Sequence, residues 1–188
     1  MIGDKIMKLQ NIRKIRQHIE DKVEEYHYNG GKGHIKLDIS PEILNQIMFY
    51  SDNYGAKQLA VSEDCFKALD LEELSWDGVN VKGVDFSDTK GVHINPQTVW
   101  DKDLSNSILK DVNIIGDLKG VWIEGTDFTD SHGAVIYLED TEQFLKLTKR
   151  GTNFRSAEVI IQYDEVLNSI NNAFSNVMIK KKTKDKNN

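Results

Sequence analysis

From about Leu74 to Ile136 the apolar residues recur on a step of five, and that spacing restricts the fold more than any other feature of the chain. The central residues of the steps are Trp76, Val81 and Phe86, then Leu104, Leu109 and Ile114, then Ile123 and Phe128. Most follow a polar residue and, one position earlier, a small or aliphatic one: Val79-Asn80-Val81, Val84-Asp85-Phe86, Val112-Asn113-Ile114, Thr126-Asp127-Phe128. A helical face recurs about every 3.6 residues and a half-buried strand about every 2. The observed step fits neither and implies a chain that turns a corner once per step.

A longer echo marks this as a repeat. Trp76 to Ile94 lies over Leu118 to Ile136 at a shift of 42 residues (118 − 76), with eight of nineteen positions identical. Gly151 to Ser156 reads as a third, shorter copy. Units that cannot bury an apolar face alone bury it by stacking.

The order of a small residue, Asp or Asn, Leu or Phe, then two polar residues resembles the pentapeptide-repeat family. The resemblance runs from Leu71 to Phe128 and on toward Phe154, and Phe86, Leu104, Leu109 and Phe128 meet the family's preference at the central position. It implies a mainly-β fold, a right-handed quadrilateral β-helix, as a solenoid over residues 71–136. Val in place of the small Ala, the bulky Trp76 and the segment Gly91 to Val99, which breaks the step, imply an irregular coil with a bulge or loop in that segment.

The flanks read differently. Residues 1–70 suggest an α/β cap over the N-terminal end of the repeat. Within it, Asp4 to Tyr28 carries one apolar stripe at helical spacing, and Asn29-Gly30-Gly31 ends the helix. Its early charges are basic and its late ones acidic, against the helix dipole, so either exposed charge is tolerated or the basic half docks on something acidic. The Gly-Gly-Lys-Gly run lacks the phosphate-loop pattern and follows a helix where that loop follows a strand. His34 to Ile39 alternates as a strand, Ser40-Pro41 starts a helix, Lys57 to Val61 is a second short strand, and Ser62 caps a helix carrying Phe66 and Leu69. Residues 137–179 hold helical spacing over Leu138 to Thr148, a strand at Val159 to Ile161, and an amphipathic helix from Asp164 to Ile179 that offers either an end cap or a homodimer seam. Residues 180–188, KKKTKDKNN, are too polar to pack and read as a disordered basic tail.

The net charge of −6 hides a layout. Glu63 to Glu142 contains eighteen acidic residues against six lysines, −12, whereas the preceding residues sum to +1 and the following ones to +5. No run approaches the roughly eighteen apolar residues of a membrane span, and the first residues lack a signal peptide's apolar stretch, so a cytoplasmic protein is expected. Cys65 stands alone among acidic neighbours, which disfavours a thiolate and any disulfide or zinc knuckle.

Catalytic equipment is not recognisable. His18, His27, His34, His93 and His132 include no pair at metal-ligand spacing, so no metal and no cofactor is expected. Asp85, Asp103 and Asp127, with Asn80, Asn113 and Asn153, precede inward residues, where short polar side chains bond nearby backbone. Asp77, Asp88, Asp101, Asp111, Asp117, Glu124 and Asp130 have no such role and are expected to face water. Trp122 occupies an outward step and Trp100 the irregular segment; each is either a partner anchor or packed against a flank.

The resulting expectation is a non-enzymatic, protein-binding inhibitor. The resemblance implies this because some members of that family mimic duplex DNA and occupy nucleic-acid-handling enzymes, gyrase among them, and phage or mobile-element origin would suit such an inhibitor. The expected contact residues are Asp77, Asp88, Asp101, Asp111, Asp117, Trp122, Glu124 and Asp130, with no membrane partner. The competing reading is direct nucleic-acid binding by Lys5, Lys8, Arg13, Lys14, Arg16 and the Lys-rich tail, with the repeat as scaffold.

Overall fold

The structure is a computed structural model and describes residues 2–163 and 178–181. Helix α1, Ile2–Tyr28, ends where Gly30 turns to φ +70°. The Gly30 and Gly31 amides there bond the carbonyls of His27 and Tyr26. The later half of its stripe is buried at Ile19 and Val23, whereas Ile15 is exposed. That half packs on α2, Pro41–Met48, and α3, Glu63–Ala68. Each short helix begins as its sequence demands: Ser40 Oγ accepts from the Ile43 amide at 3.4 Å and Ser62 Oγ from the Cys65 amide at 3.2 Å.

Two charges of α1 have local backbone partners. Arg16 Nε donates to the Ile47 carbonyl at 2.7 Å, at the negative end of α2, and Glu20 Oε1 accepts from the Ser62 amide at 3.3 Å, at the positive end of α3. The helix satisfies its neighbours' dipoles, and the group on which Arg16 docks is backbone carbonyl, not acidic side chain.

The strand expected over His34 to Ile39 shrinks to one bridge, Ile35 to Leu69, although Ile35, Leu37 and Ile39 are half-buried in alternation as expected. Phe49–Ser51 (β1) and Lys57–Leu59 (β2) form an antiparallel hairpin.

The mainly-β expectation is not met. Among the described residues, regular pairing beyond the hairpin is confined to a two-residue parallel pair, His93–Ile94 (β3) with Asn113–Ile114 (β4), and one three-stranded parallel sheet. That sheet is Val135–Asp140 (β5), Glu158–Tyr163 (β6) and Met178–Lys181 (β7). Among the described residues no sheet closes or runs continuously, so the quadrilateral β-helix and its solenoid sheet are absent and the fold is mixed α/β. The physical reason lies in the step itself. Each five-residue unit spends most of its backbone on a turn, and the residue or two left between corners is too short for a ladder.

What the step does produce is a series of turns lying over one another. Trp76, Val81, Phe86, Leu104, Leu109, Ile114, Ile123 and Phe128 are all at most 5% exposed. Each of several inward residues opens a β-turn: the amide three positions later bonds its carbonyl, as in Val79 to Trp76, Val84 to Val81, Ser107 to Leu104, Thr126 to Ile123 and Ser131 to Phe128. Isolated parallel bridges join successive layers, Asp85 to Ile108 to Asp127 to Asn153. The first two offsets are 23 and 19 residues, so the 42-residue echo in the sequence spans two layers. His93 pairs with Asn113 only 20 residues on, so the longer layer carries its three extra residues between Asp85 and His93. The turn through Thr89 is regular, so the irregularity overlaps the start of the expected segment Gly91 to Val99.

Aromatic side chains close both ends of this core. Trp76 packs edge-on against Phe49, Phe66 and Phe86, at centroid distances of 5.4, 6.0 and 5.1 Å. At the other end Phe144 of α4, Thr141–Lys149, stacks on Phe154 at 4.8 Å. The helical spacing read over Leu138 to Thr148 therefore starts late: Asp140 ends β5 and caps α4, accepting from the Gln143 amide at 2.8 Å. Of the helix expected over Asp164 to Ile179, residues 164–177 lie outside the described residues. Met178 and Ile179, with Lys180 and Lys181 of the expected tail, belong to β7, and residues 182–188 also lie outside.

Candidate functional site

The polar residues of the repeat divide into two sets by backbone geometry. Those just before an inward residue close their own turn by accepting from the amide two positions on: Asn80 from Lys82, Asp85 from Ser87, Asp103 from Ser105, Asp127 from Thr129 and Asn153 from Arg155, at 2.8 to 3.2 Å. Asn113 departs, its Nδ2 meeting His93 Nδ1 at 3.1 Å. Three lysines go to this same set: Lys90 to Asp70 at 2.6 Å, Lys67 to Asp85 at 3.1 Å and Lys82 to Asp103 at 3.1 Å. The balance of effects holds all three carboxyls below the usual carboxylate range. The Lys90 hydrogen bond is the leading cause at Asp70. At Asp85 and Asp103 burial pushes upward most strongly of any single effect but is outweighed by the bonds from Ser87 with Lys67 and from Ser105 with Lys82.

The second set stands two positions after the inward residue, where the turn needs a left-handed backbone. Gly78, Gly83, Gly120 and Gly125 supply it at some corners; at others the residue is Asp88 (φ 61°), Asn106 (59°), Asp111 (61°), Asp130 (57°) or Ser156 (71°). Asp and Asn tolerate this region better than other L-residues. Asp88, Asp111 and Asp130 thus have a backbone role that the sequence reading did not find. The signal was present as the interchange of Gly with Asp and Asn at one fixed place in the step.

These three corners belong to one column, since Asp85, Ile108 and Asp127 are bridged in succession and the Asp111 amide donates to the Asp130 carbonyl at 3.2 Å. All three are exposed, and none of their carboxylates forms an ion pair among the described residues.

The remaining expected contact residues are spread. Asp77 and Asp117 are exposed; Asp117 Oδ1 accepts from the Lys119 amide at 3.0 Å, again a turn-closing bond. Asp101, exposed at φ 51°, lies in the 3-10 turn Trp100–Lys102. Glu124, half-buried, pairs with Arg150 at 2.5 Å. Asp101, Trp122 and Glu124 do meet, around an open cleft of about 580 Å³ that Lys82, Asp103, Ser105 and Asn106 also line. Trp122 is 68% exposed and in register with Asp103. Trp100 is half-buried and Trp76 is core.

Other chemistry-bearing groups sit in plain structural settings. The Cys65 thiol is buried and pushed up to about 12, chiefly by loss of solvent and secondly by the Glu20 charge. His34 Nε2 lies 3.0 Å from the Asp88 carbonyl. Among the described residues no group of three His, Cys, Asp or Glu side chains converges as metal ligands, and no helix is long and apolar enough to cross a membrane.

No family model matches the chain, and neither a curated protein nor a solved structure matches it. The pentapeptide resemblance therefore rests on the residues quoted for it alone.

Proposed function

We propose that the chain acts by binding, as an inhibitor that presents its acidic surface to the basic groove of a nucleic-acid-handling protein. The observation that supports this is the column of Asp88, Asp111 and Asp130. Neighbouring layers linked by bridges stand roughly 4.8 Å apart, so the column is a row of carboxylates, without ion pairs among the described residues, at short, regular spacing on a body whose residues Glu63 to Glu142 sum to −12. A row of fixed negative charge attracts a groove lined with Lys and Arg by the same long-range field that draws duplex nucleic acid to it. Lys67, Lys82 and Lys90 bond other carboxylates, so none of these three neutralises the row.

The competing assignment, direct nucleic-acid binding through the basic N-terminal helix, has less support. Arg16 is committed to the carbonyls of α2.

The test is affinity capture from a bacterial lysate, with and without nuclease, using the wild type and the triple variant Asp88→Asn/Asp111→Asn/Asp130→Asn. Asn keeps the left-handed corners, so the variant removes charge and leaves the fold. Capture of a nucleic-acid-handling protein that survives nuclease, weakens with salt and is lost in the variant is the expected result. Capture abolished by nuclease, or indifferent to the three carboxylates, overturns the reading.

A further inference from the structure

Trp122 stands where the turn calls for a different residue. Asp103, bridged to Trp122 in the preceding layer, and Asn80, at the same step of an earlier turn, both accept the amide two positions on. An indole has no acceptor and cannot make that bond to the Glu124 amide. Ile108 makes the same substitution in the adjacent column, but it is 38% exposed whereas Trp122 is 68% exposed. A large aromatic that gives up a local hydrogen bond and also leaves most of its surface in water adds little to the fold. Local rules broken without a structural return point to function.

The surroundings select the ligand. The indole lies at the cleft beside Asp101, Asp103 and Glu124, with Lys82 as the one cation of the lining. Asp103 is engaged by Lys82 and Glu124 by Arg150, whereas Asp101 has no ion-pair partner among the described residues. With the Arg150 that pairs with Glu124 counted, three carboxylates face two cations, and the remaining −1 is the charge of Asp101, which repels phosphates and attracts a cation. An aromatic face with carboxylates beside it suits a guanidinium above all, because the planar cation stacks on the ring while its edge N–H groups reach oxygen. A cleft of about 580 Å³ accommodates an arginine side chain with its flanking backbone.

We propose that the Trp122 cleft receives an arginine side chain of the partner protein, the indole serving as platform and Asp101 as counter-charge. This rests on the reading of the partner as a basic protein and adds the side chain it inserts.

The test uses N-acetyl-arginine amide as probe and its uncharged counterpart N-acetyl-citrulline amide as control, followed by backbone amide shifts in two-dimensional NMR. The wild type should show saturable shifts clustered at residues 101–106 and 122–125, with an affinity roughly in the millimolar range for a single side chain. Citrulline should bind at least tenfold more weakly. Asp101→Asn, which keeps the left-handed turn, should weaken the probe severalfold. Trp122→Asn should lose it while unfolding at the same or a higher denaturant concentration, since Asn restores the turn-closing bond. Equal binding of citrulline, unchanged binding by Trp122→Asn, or clear destabilisation of that variant would each overturn the proposal. Lysate capture that depends on the three corner carboxylates but not on Trp122 would sink the cleft alone and leave the acidic row standing.

Discussion

Lys90 Nζ and Asp70 Oδ2 meet at 2.6 Å while the other oxygen of the same carboxylate accepts the Glu72 amide at 3.2 Å, so one largely buried side chain joins two layers and closes a turn at once. Asp85 and Asp103 repeat the arrangement with Lys67 and Lys82.

These three carboxyls make stability fall in acid. Each has a folded value held below its unfolded one, so their contribution is complete above the unfolded value of about 4 and is lost as pH falls through the lower folded values. Urea midpoints should be level from pH 7 to about 5 and drop steeply below about pH 4. Asp70→Ala, which removes the turn-closing bond and the ion pair together, should cost about 2 kcal/mol at pH 7 and flatten that drop.

Two glycines with the same handedness separate conformational cost from steric cost. Gly83 has φ +70° and open space around an added Cβ; Gly91 has φ +76°, but a Cβ there would lie 2.6 Å from the Glu72 amide nitrogen. Gly83→Ala should cost about 1 kcal/mol, the strain of the backbone alone. Gly91→Ala should cost at least about 3 kcal/mol, because backbone must move as well. Chemical denaturation of the pair measures the difference, and equal losses would mean that the layer at Glu72 yields freely.

Cys65 should be silent toward a disulfide reagent at pH 8 in the folded protein and react promptly in urea, since its thiol is both covered and raised to about 12. Fast labelling under native conditions, read by thiol absorbance, would contradict its burial between α1 and the first turns.

Removing the Arg16 guanidinium leaves the last carbonyls of α2 without their donors. Arg16→Ala should lower stability by about 1 to 2 kcal/mol, and hydrogen exchange should speed up in α1 and at the end of α2 but not at the distant Phe128. Arg16→Lys should recover only part, since a lysine does not reproduce the two-pronged donor.

Local signals in the sequence were read where one residue decides one geometry. Ser40 and Ser62 start their helices, Gly30 ends α1, and the eight inward residues of the five-residue step are buried, because capping chemistry and burial act at single positions. Reading further, from the step to continuous sheets, failed because a turn and a strand compete for the same few residues, and the count between corners decides which wins. His34 to Ile39 failed for a related reason: alternation buries one face, but a strand also needs a partner of equal length, and Ile35 alone finds one, in Leu69. The candidate site was half visible. The acid residues stood out by composition, but the role of Asp88, Asp111 and Asp130 required knowing the turn's handedness, and the meeting of Asp101 with Trp122 required the layer register.

The left-handed corners also bear on how such a surface can change over time. A codon for aspartate becomes one for asparagine or glycine by a single base substitution, and all three residues are at ease at positions 88, 111 and 130. Charge at these corners can therefore be gained, lost and regained by drift with almost no penalty in folding. A lineage could retune its grip on a changing partner through these sites long before any residue of the core had to move.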